Sequence, residues 1–316
     1  MKHALIAFRK PIPLLLGVMF IFVLCDVSSA TAAGSDDDLS HVQRVIHLAS
    51  IFDAMSGVNT ENARMALEML MRNIMVRQSN RFHIQLDFLM EFDQAAEKIT
   101  TGQYDLVVLP GLDYLQIRPK VDLVPRLILS KVDQPTEPLV LVTQPNETLK
   151  SLAKKDSPIL MIDMGRFGET AKLWLDTVLL EAGLKPSHQI FTEIRRTQKP
   201  SHSVLPVFFG QVAACVVMES ALKVLKELNP QIERRVQILK RSEDLVTLVL
   251  CATPWANKED VDIVITEGIN AMHDPKSRQA LTMVQMKRFY PFQPEYMVAT
   301  QNLYERFLRS MKKWGQ

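Results

Sequence analysis

Short, nearly continuous apolar runs alternate along this chain with segments of helical periodicity, and that alternation constrains its fold more than any other feature. The runs fall at 43–49, 82–88, 105–109, 137–143, 158–163, 189–194, 212–217, 235–239 and 246–252. A strand that is apolar on both faces must be covered on both, as strands are in a mostly parallel sheet flanked by helices. Amphipathic helices are expected between them at 60–77, 92–100, 168–182 and 258–272, with a last one near 297–313. Gly183 closes the third of these as a C-cap would, with Pro186 just beyond. The pattern predicts an α/β protein.

Linkers are short and polar, as at Asp133-Gln134-Pro135-Thr136 and Asn229-Pro230-Gln231. Two lobes in such a chain must be joined by segments that cross between them rather than by a flexible tether. The runs 137–143 and 246–252 are the expected crossings. They divide the chain into a first lobe of 34–139 plus 250–316 and a second of 140–249.

Residues 1–33 are set apart. Lys2, Arg9 and Lys10 precede an uncharged, mostly apolar run from Pro11 to Cys25, and Ala30-Thr31-Ala32 offers a small-residue cleavage site. This is the order of a cleavable signal peptide. The run is shorter than the ~20 residues of a spanning helix, so an uncleaved anchor is the weaker alternative. Leu24 before Cys25 argues against lipidation. Taking Lys2, Arg9, Lys10 and Asp26 away with the leader lowers 37 basic and 35 acidic residues to 34 of each. A formally neutral remainder asks for neither nucleic acid nor an anionic membrane. Cys215 and Cys251 lie in apolar runs, where buried free thiols are expected.

Five segments, in order, carry a resemblance: VNTENARMALEML (58–70), TGQYDLVVLPGLDYLQ (101–116), LLEAGLKP (179–186), SHSVLPVFFGQVAACVV (201–217) and RFYPFQPEY (288–296). Together they resemble the phosphate/phosphonate-type substrate-binding proteins of ABC importers, within the type 2 periplasmic-binding fold. The resemblance implies two α/β lobes with strand crossovers forming a hinge. It also implies a small anionic ligand bound in the cleft, no cofactor, and an inner-membrane permease as partner. Two departures stand out. The Ser/Thr-rich anion turn of the family reads Gly165-Arg166-Phe167-Gly168-Glu169-Thr170 here, and Ala213 replaces an acidic residue common after the Gly-x-Val of a later strand.

The candidate ligand residues follow from both lines of reasoning. Arg166, Phe167 and Thr170 sit in a strand-to-helix turn, where free N–H groups and a guanidinium suit an anion. Ser201 and His202 open a helix after Pro200, with Ser201 also a natural cap. Tyr114, after the Pro110-Gly111 turn, offers an aromatic face or packs in the first-lobe core. Phe52 is similar. Glu219 follows the 212–217 strand at its carboxyl end and offers a carboxylate to an amine or hydroxyl. His47 reads as a core histidine, the helical methionines as packing, and Asn146-Glu147-Thr148 as a turn. No cluster has metal-ligand spacing, and the nucleophile-elbow, P-loop and His-Glu-x-x-His motifs are missing.

The expected protein is a monomeric, periplasmic solute-binding protein serving an ABC permease. The same module feeding a sensor kinase is the alternative, and small-molecule catalysis on this fold is a third class.

Overall fold

The computed structural model describes residues 44–51, 60–78, 82–89, 92–163 and 167–315. The leader with Ala30-Thr31-Ala32, Phe52 and Arg166 lie outside the described residues.

From the amino end the chain forms β1 (Arg44–Ile51), α1 (Thr60–Arg77), β2 (Phe82–Leu89), α2 (Phe92–Thr100), β3 (Leu106–Pro110), α3 (Gly111–Ile117) and β4 (Val124–Ser130). It then makes β5 (Glu137–Thr143), α4 (Leu149–Leu152), β6 (Ile159–Asp163), α5 (Phe167–Glu181), α6 (Ser187–Ile190), β7 (Glu193–Thr197) and α7 (Pro200–Phe208). β8 (Ala214–Met218), α8 (Glu219–Leu228), α9 (Gln231–Arg235) and β9 (Gln237–Leu245) complete that stretch. The last part is β10 (Leu248–Ala252), α10 (Lys258–Ala271), α11 (Pro275–Met283), β11 (Arg288–Pro291) and α12 (Pro294–Trp314).

These strands make two mixed sheets, and the molecule has two α/β lobes. The first sheet has the order β11-β4-β10-β3-β1-β2 and the second β7-β6-β8-β5-β9. In the first, β1, β2 and β3 run parallel while β10 is antiparallel to both β3 and β4. In the second, β6, β7 and β8 are parallel and β5 is antiparallel to β8 and β9.

The period of two along each strand explains why the apolar runs are unbroken. In β5 every residue is buried. Leu139 and Leu141 enter the cluster shared with α5, while Val140 and Val142 enter the one shared with α7 and α8. The first sheet divides likewise: Leu248 and Leu250 pack with α1 and α10, Val249 and Cys251 with α2 and α3. Burying a large aliphatic side chain contributes ~1.5–3 kcal/mol, so a strand covered on both faces is held by each residue in turn. Cys215 and Cys251 are buried and not joined in a disulfide, and burial pushes the Cys251 thiol well above its ordinary pKa.

The chain passes between sheets twice, at 131–136 and at 246–247. Of the runs expected to cross, 137–143 forms β5, which stays within one sheet just after the first passage, whereas 246–252 contains the second passage at 246–247 ahead of β10. The reason is economy of buried polar groups. A strand paired on both sides satisfies its whole backbone, so the change of sheet falls in the residues that pair with neither. α3 and α12 reinforce these passages. Leu112 of α3 packs in the second-lobe cluster, while Tyr114 packs in the first. α12, expected to stay with the first lobe, contributes Met297 to the first-lobe cluster and Leu303 to the second. Between them, Thr300 Oγ1 accepts a hydrogen bond from the Val246 N–H at 3.1 Å. Arg306 then reaches Glu181 of α5 through two nitrogens, at 2.9 and 2.6 Å.

Candidate functional site

Strand direction locates the site. In the second sheet β6, β7 and β8 run parallel, so Asp163, Thr197 and Met218 end on one edge, and α5 and α7 begin there. The start of β5 lies on the same edge, because Leu139 pairs with Met218. In the first sheet β3 ends at Pro110 beside Leu248, and Leu248 also pairs with Leu129 near the end of β4. Both passages between the sheets therefore leave from the carboxyl ends of parallel strands. α/β sheets bind ligands outside those ends.

The first turn of α5 lies on this edge. A helix start leaves backbone N–H groups without intrahelical partners and carries the positive end of the macrodipole. Phe167 opens the helix, but its ring is buried in the second-lobe core with Leu160 and Trp174. It anchors the turn, and the structure corrects the expectation that it faces a ligand. Thr170 is different. Its side chain is buried, and Oγ1 has no hydrogen-bond partner among the described residues. Glu169 beside it does not oppose an anion freely, because Arg196 at the end of β7 forms an ion pair with its carboxylate.

α7 starts on the same edge. Its cap is Lys199, without a side-chain cap bond, and Pro200 takes the first position. Ser201 therefore sits in the first turn, not at the cap, because the proline ring supplies a position that needs no N–H. His202 is exposed there. Thr197 and Ser203 share a 2.6 Å hydrogen bond that ties the end of β7 to this helix. The Glu169–Arg196 pair and the Thr197–Ser203 bond thus bring Thr170, Ser201 and His202 onto one hydroxyl-bearing edge. Sequence reasoning missed Arg196, Thr197 and Ser203. Their contacts span separations of 27 and 6 residues, and no local pattern announces them.

Two expectations change outright. Tyr114 is 7% exposed in the first-lobe core. Burial raises its phenol pKa, with the Cys251 thiol the next influence and the nearby Arg118 opposing both. Cys251 pairs with Val107 near the amino end of β3, so the phenol lies away from the carboxyl edge. α3 is buried on nearly every residue, which leaves its aromatic no ligand-facing side. Glu219 stands at the end of β8 but is engaged: Arg241 of β9 donates to both carboxylate oxygens from Nε at 3.0 and 3.1 Å. Beside it, Glu137 is buried and accepts from the Ser220 N–H at 3.1 Å. Desolvation raises the Glu137 pKa, and the Ser220 bonds partly offset it. Among the described residues no group of histidines, cysteines and carboxylates has the arrangement of a metal site.

A family model described as "ABC transporter, phosphonate, periplasmic substrate-binding protein" matches residues 60–296, most of the chain. The chain belongs to this family. Its members bind solutes for ABC transporters and are not enzymes. Among curated proteins no sequence match was found. Solved structures share the two-lobed type 2 periplasmic-binding architecture. A binding-protein component of an ABC phosphonate transporter from Pseudomonas aeruginosa aligns with a TM-score of 0.62 at 12% identity, over 85% of this chain and 88% of that one. PhnD1 from Prochlorococcus marinus, solved with methylphosphonate, aligns at 0.60 and 14%, over 83% and 98%. A Xanthomonas citri protein solved bound to ATP aligns at 0.63 and 14%, over 85% and 99%. At such identities the likeness is one of fold.

Proposed function

We propose that the protein is exported with removal of residues 1–33 and binds a small phosphonate- or phosphate-like anion in the periplasm for delivery to an ABC permease. The observation that carries the ligand reading is the first turn of α5. A buried Thr170 hydroxyl without a partner among the described residues sits there at a helix start, whose first N–H groups lack intrahelical partners, and the Glu169 carboxylate beside it is paired with Arg196. An anionic oxygen supplies the acceptor that this hydroxyl lacks. Ser201 and His202 on α7 add donors from the same edge, and Arg166, just before α5 in sequence, is a further candidate whose guanidinium suits an anion. The permease role follows the family, and closure of the lobes over the ligand is the motion that such passages permit.

Calorimetry with methylphosphonate, inorganic phosphate, phosphite and arginine tests this reading. The anions should bind, with affinity that weakens as salt rises, and arginine should not. Binding of arginine with no response to any of the three anions refutes it. N-terminal sequencing of periplasmic protein should find a start at Ala33 or within a residue of it, whereas a retained Met1 favours an anchored form.

A further inference from the structure

The register of β7 places Arg196 at the first turn of α5. Side chains alternate along a strand, and Ile194 packs against the cluster shared with α5, so Arg196, two residues on, lies on the same face and nearer the carboxyl edge. It pairs in register with Ile162 of β6, another member of that cluster. On the opposite face, the bond between Thr197 and Ser203 fixes the end of the strand. The Arg196 guanidinium meets the carboxylate of Glu169, the third residue of α5, in an ion pair whose side chains stay 45% and 38% exposed. A glutamate at that helical position ordinarily reaches back to the cap or complements the dipole. Here it is an anion held by an arginine at a helix start, one residue from the Thr170 hydroxyl, which is buried without a partner among the described residues.

We propose that Glu169 is an internal stand-in for the ligand: its carboxylate occupies Arg196 until an anion arrives, and the anion's oxygens then take Arg196 while Glu169 turns into solvent. Arg196 is thereby a ligand residue, and the pair sets specificity. This role of the pair rests on the anion reading above and adds to it a counter-charge and a threshold. An arriving anion must outdo a carboxylate that is tethered to the same helix and loses no translational freedom on binding. Acetate offers the same group without the tether and fails that test. A tetrahedral oxyanion offers further oxygens, which can reach Arg196, Thr170 and the helix N–H groups together. Exchange is within reach because both partners of the pair are more than a third exposed, where an ion pair is held weakly.

Calorimetry with methylphosphonate on the purified protein and three variants tests it, with circular dichroism to check that each is folded. Glu169→Gln removes the competitor, so affinity should rise about two- to fivefold, the worth of an exposed ion pair. Arg196→Gln should weaken binding about ten- to 150-fold, the loss of a hydrogen bond to a charged group. The double variant separates contact from neutralisation. With Gln at both positions no charge is left to offset, so an Arg196 that only neutralises Glu169 is not missed and binding matches the parent. An Arg196 that holds the ligand is still missed, and the double variant should bind about tenfold more weakly than the parent, the Arg196 loss less the Glu169 gain. Parental affinity in the double variant, or a Glu169→Gln protein that binds no better than the parent, overturns the exchange and leaves the anion reading standing. Acetate that binds the parent as tightly as methylphosphonate overturns the threshold. Methylphosphonate that binds Glu169→Gln and not the parent supports the exchange and sinks the anion reading for the native chain. Binding by none of the four proteins overturns both.

Discussion

Replacing Thr170 by Val removes one oxygen and keeps the branched shape. In the structure that oxygen is buried with no partner, so the ligand-free protein carries the cost of an unsatisfied hydroxyl, ~1–3 kcal/mol. Thr170→Val should therefore be more stable than the parent without ligand, by up to that amount. For a protein somewhat larger than 250 residues this is a rise in Tm of roughly 2–5 °C. Binding should change in the opposite sense. A hydrogen bond to a charged group is worth ~1.5–3 kcal/mol, so affinity for methylphosphonate should fall about ten- to 150-fold. Urea denaturation without ligand reads the first effect and calorimetry the second. Thr170→Ser separates them further, since it keeps the hydroxyl and loses a buried methyl: affinity should hold while stability drops. A Val variant that is less stable than the parent without ligand would show that the hydroxyl holds the structure together, and the argument for an anion at this turn would fail.

Two further outcomes follow from the passages between the lobes. A Cβ at Gly111 would meet the Val246 carbonyl oxygen at 2.9 Å and the Val246 side chain at 3.3 Å, so Gly111→Ala must displace backbone and should cost ~1–3 kcal/mol in a denaturation midpoint; equal stability would refute the close approach. Glu137 has a raised pKa from desolvation, so its contribution favours folding below the ordinary carboxyl pKa and is lost as pH rises through the folded value. Glu137→Gln, which keeps an acceptor for the Ser220 N–H, should be more stable than the parent at neutral pH, with the difference vanishing in acid. A variant less stable at pH 7 would show that the ionised carboxylate is stabilising there.

Much of the fold was legible because most strands are interior and apolar on both faces. β5 was found at its observed bounds for that reason. β7 was not: the run 189–194 was expected as a strand, but 187–190 forms the short helix α6 and the strand follows it. β7 is an edge strand with mostly exposed, charged residues, EIRRT. Edges are kept polar, which removes the apolar signal. β4 escaped notice because Pro125 interrupts it. The structure accommodates that proline where the β4–β10 register shifts, between Leu250 and Cys251, so an interior strand carries a residue that normally excludes one. α3 lacked a helical stripe because it is wedged between both lobes and buried almost all round.

The site was legible only as far as strand direction and helix starts reach. The helix starts at Phe167 and Pro200 were legible because a strand-to-helix junction has a local signature. What a charged side chain does there has none. Glu169 and Glu219 look alike, each a carboxylate just after a strand, yet only Glu219 was expected as a ligand group. The fold gives each an arginine, Arg196 from β7 and Arg241 from β9, drawn from 27 and 22 residues away. Both carboxylates are thereby matched within the protein, and among the described residues of the first turn of α5 the Thr170 hydroxyl is buried without a partner. Under the proposed anion reading, an edge whose Glu169 and Glu219 are already paired discriminates by donors. An anion can satisfy Thr170 and the helix N–H groups together, whereas a cationic solute drawn to Glu169 or Glu219 would have to compete with Arg196 or Arg241. That asymmetry, and not the family resemblance alone, is the physical reason to expect an anion.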